Sequence, residues 1–175
     1  MAEVRLGRLE PMAELFERHR GRLFGFFLRL TGRPSLSEDL VQELFLRMLK
    51  YRTSFRPGSP FGPWMFRIAH RLHLDHRTGA PGAEDPTEWL ESYPDPGPDP
   101  RSEVERQSEQ ALLERALARL EPRKRELLLL SRQPDLPYQA VANLLDCSVA
   151  SVKVQVHRAL KELREAYAAV QGGAP

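Results

Sequence analysis

One stretch of this chain resists any packed element. Between Gly79 and Glu105 stand Pro81, Pro86, Pro94, Pro96, Pro98 and Pro100. Each proline lacks a backbone donor and biases the residue before it away from the helical region. The same stretch holds eight acidic residues against a single arginine. A segment with one sign of charge and little apolar surface gains too little from burial to offset the entropy of ordering it. It reads as an extended acidic linker, 79–105, between two small domains, 1–78 and 106–175. Fully stretched, its roughly 27 residues would span about 90 Å. Trp89, Leu90 and Tyr93 are unusual in a plain tether and leave open whether the segment docks elsewhere.

Divided this way, a net charge of only +2 separates into +6, −7 and +3. Two modestly basic blocks flank an acidic one, and a basic block is what a polyanion requires of its partner. The longest unbroken apolar run is a handful of residues around Leu127–Leu130. Neither a transmembrane helix nor a signal peptide fits, so no membrane insertion and a cytoplasmic location are expected. The single cysteine, Cys147, excludes an internal disulfide framework and a Cys-rich metal site. It occupies an apolar position and reads as a buried, inert residue.

The N-terminal block has the period of three helices. Leu15, Phe16, Leu23, Phe26, Phe27 and Leu30 recur at steps of three and four, predicting a helix from Glu10 to Leu30. Thr31-Gly32 and Pro34 end it. Ser35 and Glu38 have the spacing of a capping box and predict a second helix from Ser35, with Leu40, Val41, Leu44, Phe45 and Met48 as its buried stripe. Its other face carries Asp39, Gln42, Glu43, Arg47 and Lys50, which is either a solvated surface or a docking stripe. Phe55 to Pro63, with two glycines and three prolines, is a loop, and its Arg56 and aromatics suit phosphate contact and base stacking. The third helix starts near Pro63. It interleaves Trp64 and Phe66 with Arg67, Arg71 and Arg77, as single-strand nucleic-acid surfaces do. His70, His73, His76 and Asp75 invite a metal reading. However, successive steps of three drift around a helix by about 60° each, so the first and third histidines point apart. No metal and no cofactor are expected.

The C-terminal block predicts helices over Leu112–Leu120, Arg123–Ser131, Tyr138–Leu145 and Val149–Ala168. The last two flank the turn Asp146-Cys147-Ser148. Val141, Leu145, Cys147 and Val152 supply apolar contacts across it, and Ala142 is small where the helices cross. Asp146 stands where glycine is commonest, and aspartate is among the few other residues that tolerate a left-handed backbone. This is the pattern of a helix-turn-helix, whose second helix enters a DNA major groove. That helix presents Ser151, Lys153, Gln155, His157 and Arg158. Lys and Arg suit phosphates or guanine edges, and Gln suits adenine.

Three of these stretches also resemble a known family. Glu38-Asp39-Leu40-Val41-Gln42-Glu43-Leu44-Phe45 resembles the signature of sigma-70 region 2, and Trp64 to His70 follows at the usual distance. Val149 to Leu160 resembles the recognition helix of region 4. Two such regions joined by a short linker are similar to the extracytoplasmic-function (ECF) group of sigma factors. The resemblance implies an all-α, two-domain protein without catalytic residues, which binds bacterial RNA polymerase core and directs promoter-specific transcription initiation. It implies that Asp39, Gln42 and Glu43 dock on the β′ clamp helices. Arg56, Ser59, Phe61, Trp64, Arg67 and Arg71 would take the melted −10 element. Ser151, Lys153, Gln155, His157 and Arg158 would read the −35 element, and the region around Leu117 to Leu130 would pack on the β flap. It further implies an anti-sigma partner. Family members often have Ser-Arg where this chain has Val154-Gln155, and the loop is unusually rich in proline. The competing reading is a one-component regulator that uses its helix-turn-helix on duplex DNA without polymerase.

Overall fold

The computed structural model describes residues 1–79 and 100–172. The acidic linker read from the sequence therefore falls largely outside the described residues, with Trp89, Leu90 and Tyr93 among those left out. Every regular element among the described residues is helical.

A short α1 (Ala2–Arg5) precedes α2 (Glu10–Thr31), α3 (Pro34–Lys50) and α4 (Phe61–Gly79), with a 3₁₀ turn at Arg52–Ser54. The buried stripes follow the predicted period: Leu23, Phe26 and Phe27 on α2, Leu40, Val41, Leu44, Phe45 and Met48 on α3, Met65, Phe66, Ala69 and Leu72 on α4. The core is aromatic at its centre. Phe26 meets Phe66 edge to face at 5.3 Å, and Phe16 meets Phe45 at 4.9 Å, an arrangement set by the ring quadrupoles. Gly32 closes α2 with φ 73°, donating its N–H to Leu28 O. That left-handed position is the reason for a glycine there.

The start of α3 differs from the expected capping box. The helix begins at Pro34 with Arg33 as its N-cap, and no side chain caps it. Proline presets the backbone one residue earlier than Ser35 would. Ser37 is completely buried, and its hydroxyl donates to Arg33 O at 2.7 Å and meets the Thr31 hydroxyl at 2.9 Å. Similarly α4 starts at Phe61, before Pro63. A proline in the first turn is tolerated because that N–H has no partner within the helix.

The C-terminal half is four helices: α5 (Pro100–Ala118), α6 (Pro122–Ser131), α7 (Tyr138–Leu144) and α8 (Val149–Gly172). Helix α5 begins well before Leu112, inside the stretch read as linker. Pro100 is its first residue, where a proline is favourable. Helices α5, α6 and α7 all pack on α8. Here the core is aliphatic and small: Ala116, Leu117, Leu127, Leu130, Val141, Ala142, Val152, Val156 and Ala159 are buried. Asp146 has φ 51°, the one non-glycine among the described residues with a left-handed backbone. Cys147, expected to be buried, is half-buried, because the turn leaves one side of it open. The two halves touch, α2 against α5 and α6, and α4 against α7. The buried apolar residues of both belong to one connected cluster.

Candidate nucleic-acid interface

The residues singled out by sequence fall into three separate surfaces. On α8, Val152, Val156 and Ala159 turn inward, so the steps between them leave Lys153, Gln155, His157 and Arg158 exposed. Among the described residues neither Lys153 nor Arg158 has an ion-pair partner, so both cations are available to an anion. Ser151 is different. It is half-buried and its hydroxyl accepts from Gln155 Nε2 at 2.6 Å. Its backbone N–H donates to Ser148 Oγ at 3.1 Å, which caps the helix. Ser151 thus orients Gln155 more than it faces outward. Val154, half exposed between Lys153 and Gln155, belongs to the same face and was not among the expected site residues. Its position in the Val154-Gln155 departure was the available signal.

The second surface is the loop before α4. Gly58, at φ 81°, makes the tight turn. Ser59 folds back, its hydroxyl donating to Arg56 O at 2.6 Å, and leaves Arg56 exposed. The loop's two aromatics part company. Phe55 is buried beneath Trp64 at 5.4 Å between ring centroids, so it is a platform and not a stacking surface. Phe61 and Trp64 remain half-buried, 6.2 Å apart, with His19 5.2 Å from Phe61. Trp64 Nε1 donates to Ser54 Oγ at 3.1 Å, which holds the indole in place. Burial and the neighbouring Arg22 guanidinium hold His19 below the usual histidine range. One helical turn on, Arg67 and Arg71 are exposed and line a cleft of about 340 Å³ together with Arg47, Tyr51, Ile68 and Asp75. Asp75 takes Arg47 at 2.7 Å and Arg71 at 3.2 Å. The hydrogen bond from Arg47 holds its carboxyl below the usual range. Arg47, read from the sequence on the outer face of α3, and Tyr51 at its end join this cleft, because tertiary packing brings them beside α4.

The third surface is the outer face of α3. Asp39 and Gln42 are exposed. Glu43 is half-buried and accepts from Arg47 Nε at 2.9 Å. One turn beyond Gln42, Leu46 is 61% exposed. An exposed leucine beside two polar residues at helical spacing gives this face an apolar contact that the acidic pattern alone does not have.

The histidines of α4 do not converge. Among the described residues no group of three His, Cys, Asp or Glu side chains is placed to hold a metal ion. His70 Nδ1 instead pairs with Glu126 Oε1 of α6 at 2.7 Å. No helix among the described residues is long and apolar enough to cross a membrane.

Comparison with known proteins finds two family regions along the chain. The family model for sigma-70 region 2 matches residues 15–80, and that for sigma-70 region 4 matches 110–163. The RNA polymerase sigma factor CarQ of Myxococcus xanthus is 30% identical over 174 residues, covering 94% of each chain. The ECF RNA polymerase sigma factor SigE of Mycolicibacterium smegmatis is 30% identical over 154 residues, which is 87% of this chain and 60% of that one. The fold is shared with the Bartonella quintana sigma factor RpoE, solved in complex with the anti-sigma factor NepR, at a TM-score of 0.65 and 20% identity over 90% of this chain and 96% of that one. The chain belongs to the sigma-70 family and to its ECF group.

Proposed function

We infer that this protein is a sigma factor that brings bacterial RNA polymerase core to a promoter and opens the DNA there. The observation that carries the reading is the presence on one chain, in order, of both family regions, each with its own exposed surface. A regulator that only reads duplex DNA has no use for the first of them.

The roles follow from the chemistry of each surface. Helix α8 enters the −35 major groove, where Lys153, His157 and Arg158 meet phosphates or guanine edges, Gln155 meets adenine, and Val154 offers apolar contact to a thymine methyl. The loop with Arg56, Ser59 and Phe61 receives an unstacked base of the −10 element. Extruding a base costs a few kcal/mol, which stacking and edge contacts offset. Trp64, Arg67 and Arg71 hold the strand beyond it. Asp39 and Gln42, with the exposed Leu46 one turn beyond Gln42, dock on the β′ clamp helices, and Glu43 steadies that face through Arg47. The α5–α6 segment around Leu117 to Leu130 packs on the β flap. By analogy with the Bartonella protein, solved with its anti-sigma factor, this chain has an anti-sigma partner. It contributes recognition and melting and leaves the chemistry to polymerase.

Purified chain added to core polymerase and genomic fragments should start transcripts at defined positions. Asp39→Arg should reduce core binding at least tenfold with unchanged helical content. Tight duplex binding without polymerase, and no effect on core, would favour the one-component regulator instead.

A further inference from the structure

Helix α3 ends on an aromatic ring that reaches solvent. Tyr51, its C-cap, is 46% exposed, whereas Phe45 and Met48 before it are buried. A lone exposed ring is ordinary. This one is held in place and framed by charge. Its backbone N–H donates to Arg47 O at 2.8 Å, and its carbonyl accepts from the Ser54 N–H at 2.9 Å and the Ser54 hydroxyl at 2.7 Å. Lys50 Nζ lies over the ring, 5.6 Å from its centroid, a favourable site for a cation. The ring lines the 340 Å³ cleft together with Ile68 and three arginines.

The charges around the ring are uneven. Arg47, Lys50, Arg67 and Arg71 stand against Glu43 and Asp75. Asp75 takes Arg47 and Arg71, and Glu43 takes Arg47 a second time. The carboxylates thus fix Arg47, while Arg67 is exposed and has no ion-pair partner among the described residues. The surplus is positive and draws an anion. The cleft also adjoins the proposed −10 surface. The Ser54 hydroxyl that donates to Tyr51 O accepts from Trp64 Nε1 at 3.1 Å. A single hydroxyl therefore separates the backbone of Tyr51 from the indole.

An acidic peptide would satisfy the arginines and leave Tyr51 and Ile68 uncovered. A nucleotide brings a flat π-face and an anion together, which is what this wall and this rim accept. We propose that the cleft is a second nucleotide subsite, in which Tyr51 stacks a base adjacent to the one extruded at Phe61 and Trp64. Arg67 takes the phosphate between the two, and Arg47 is a positioning residue that holds the cleft open beside the ring. The identity of the strand rests on the sigma-factor reading.

The test uses core polymerase with the full chain and a single nontemplate strand from a mapped promoter, with one abasic position moved along it. Tyr51→Ala should weaken strand binding by at least about fivefold, and Tyr51→Phe should bind like the wild type. The abasic strand should lose a similar factor at one neighbour of the extruded base, and that loss should vanish in Tyr51→Ala. Arg67→Ala should instead weaken all the strands alike and reduce the salt slope by about 0.7, which Tyr51→Ala should leave unchanged. Wild-type binding with an unaffected Tyr51→Ala would overturn the subsite, as would a Tyr51→Ala loss equal at every abasic position. Loss of core binding in Tyr51→Ala would overturn it too, by placing the ring against polymerase. A wild-type chain that binds core but no promoter strand would overturn the sigma-factor reading, and the subsite with it.

Discussion

The two halves of this protein are both small helical bundles, yet they are built from different material. The N-terminal core is aromatic: Phe26, Phe27, Phe45, Phe55 and Phe66 are buried around Met48 and Met65. The C-terminal core has no buried aromatic among its described residues, only leucine, valine and alanine. The difference fits what the proposed function asks each half to present. Holding an unstacked base requires a rigid platform with rings at its rim, and the buried Phe55 beneath half-buried Phe61 and Trp64 is such a platform. Seating a helix in a groove requires a thin unit whose helices approach closely, which the buried Ala142 and Ala159 allow. The aromatic half resists deformation through large interlocking side chains, and the aliphatic half does so through close packing.

Three measurements test this contrast. The largest effect belongs to the aromatic core. Phe66 is fully buried, stacks edge to face on Phe26 and has the Arg22 guanidinium 5.7 Å from its ring. Phe66→Ala should cost about 3–5 kcal/mol in denaturant unfolding. A loss below about 1 kcal/mol would mean the platform is not the stabilising element. In the aliphatic half the sensitive direction is the opposite one. Ala142→Leu should overpack the helix crossing and cost about 1–3 kcal/mol. It should weaken −35 duplex binding by the polymerase complex in fluorescence anisotropy, while the fluorescence of Trp64 in a Trp89→Phe background is unchanged. Tolerance of leucine there would show a looser crossing than the structure has.

The smallest effect is a pH dependence that originates in the aromatic half. Burial holds His73 below the usual histidine value of 6.5, with Glu126 pulling it upward and Arg77, His70 and His76 pushing it down. The unfolded chain takes up that proton more readily than the folded one. The stability His73 contributes is therefore present above about pH 6.5 and lost as the pH falls through and below it. The melting temperature should fall on acidification, and His73→Gln should flatten that slope. An unaltered slope would place the acid sensitivity elsewhere.

Much of this was legible in one dimension because helices are local. The stripes of α2 and α3, the left-handed Asp146 and the exposed face of α8 all follow from spacing and backbone preference. Errors arose where neighbours compete for the same backbone groups. Ser35 and Glu38 have capping-box spacing, but Pro34 starts the helix first and no side chain caps it, while the buried Ser37 hydroxyl donates to the Arg33 carbonyl. Phe55 and Phe61 look alike in sequence, yet one is buried and the other reaches the surface.

By itself the sequence determined the all-helical class, the division into two basic blocks with an acidic stretch between them, and the family. Those depend on periodicity, on proline and on charge counted along the chain. Only the tertiary structure decided which partners meet. It joined Arg47 to both Glu43 and Asp75, set Tyr51 beside Arg67 and Arg71, and placed Glu126 against His70 across 56 positions. Glu126 is 4% exposed, with His70 as its partner. Its burial follows from the docking of another helix, because a carboxylate leaves water only where a partner replaces the lost hydrogen bonds.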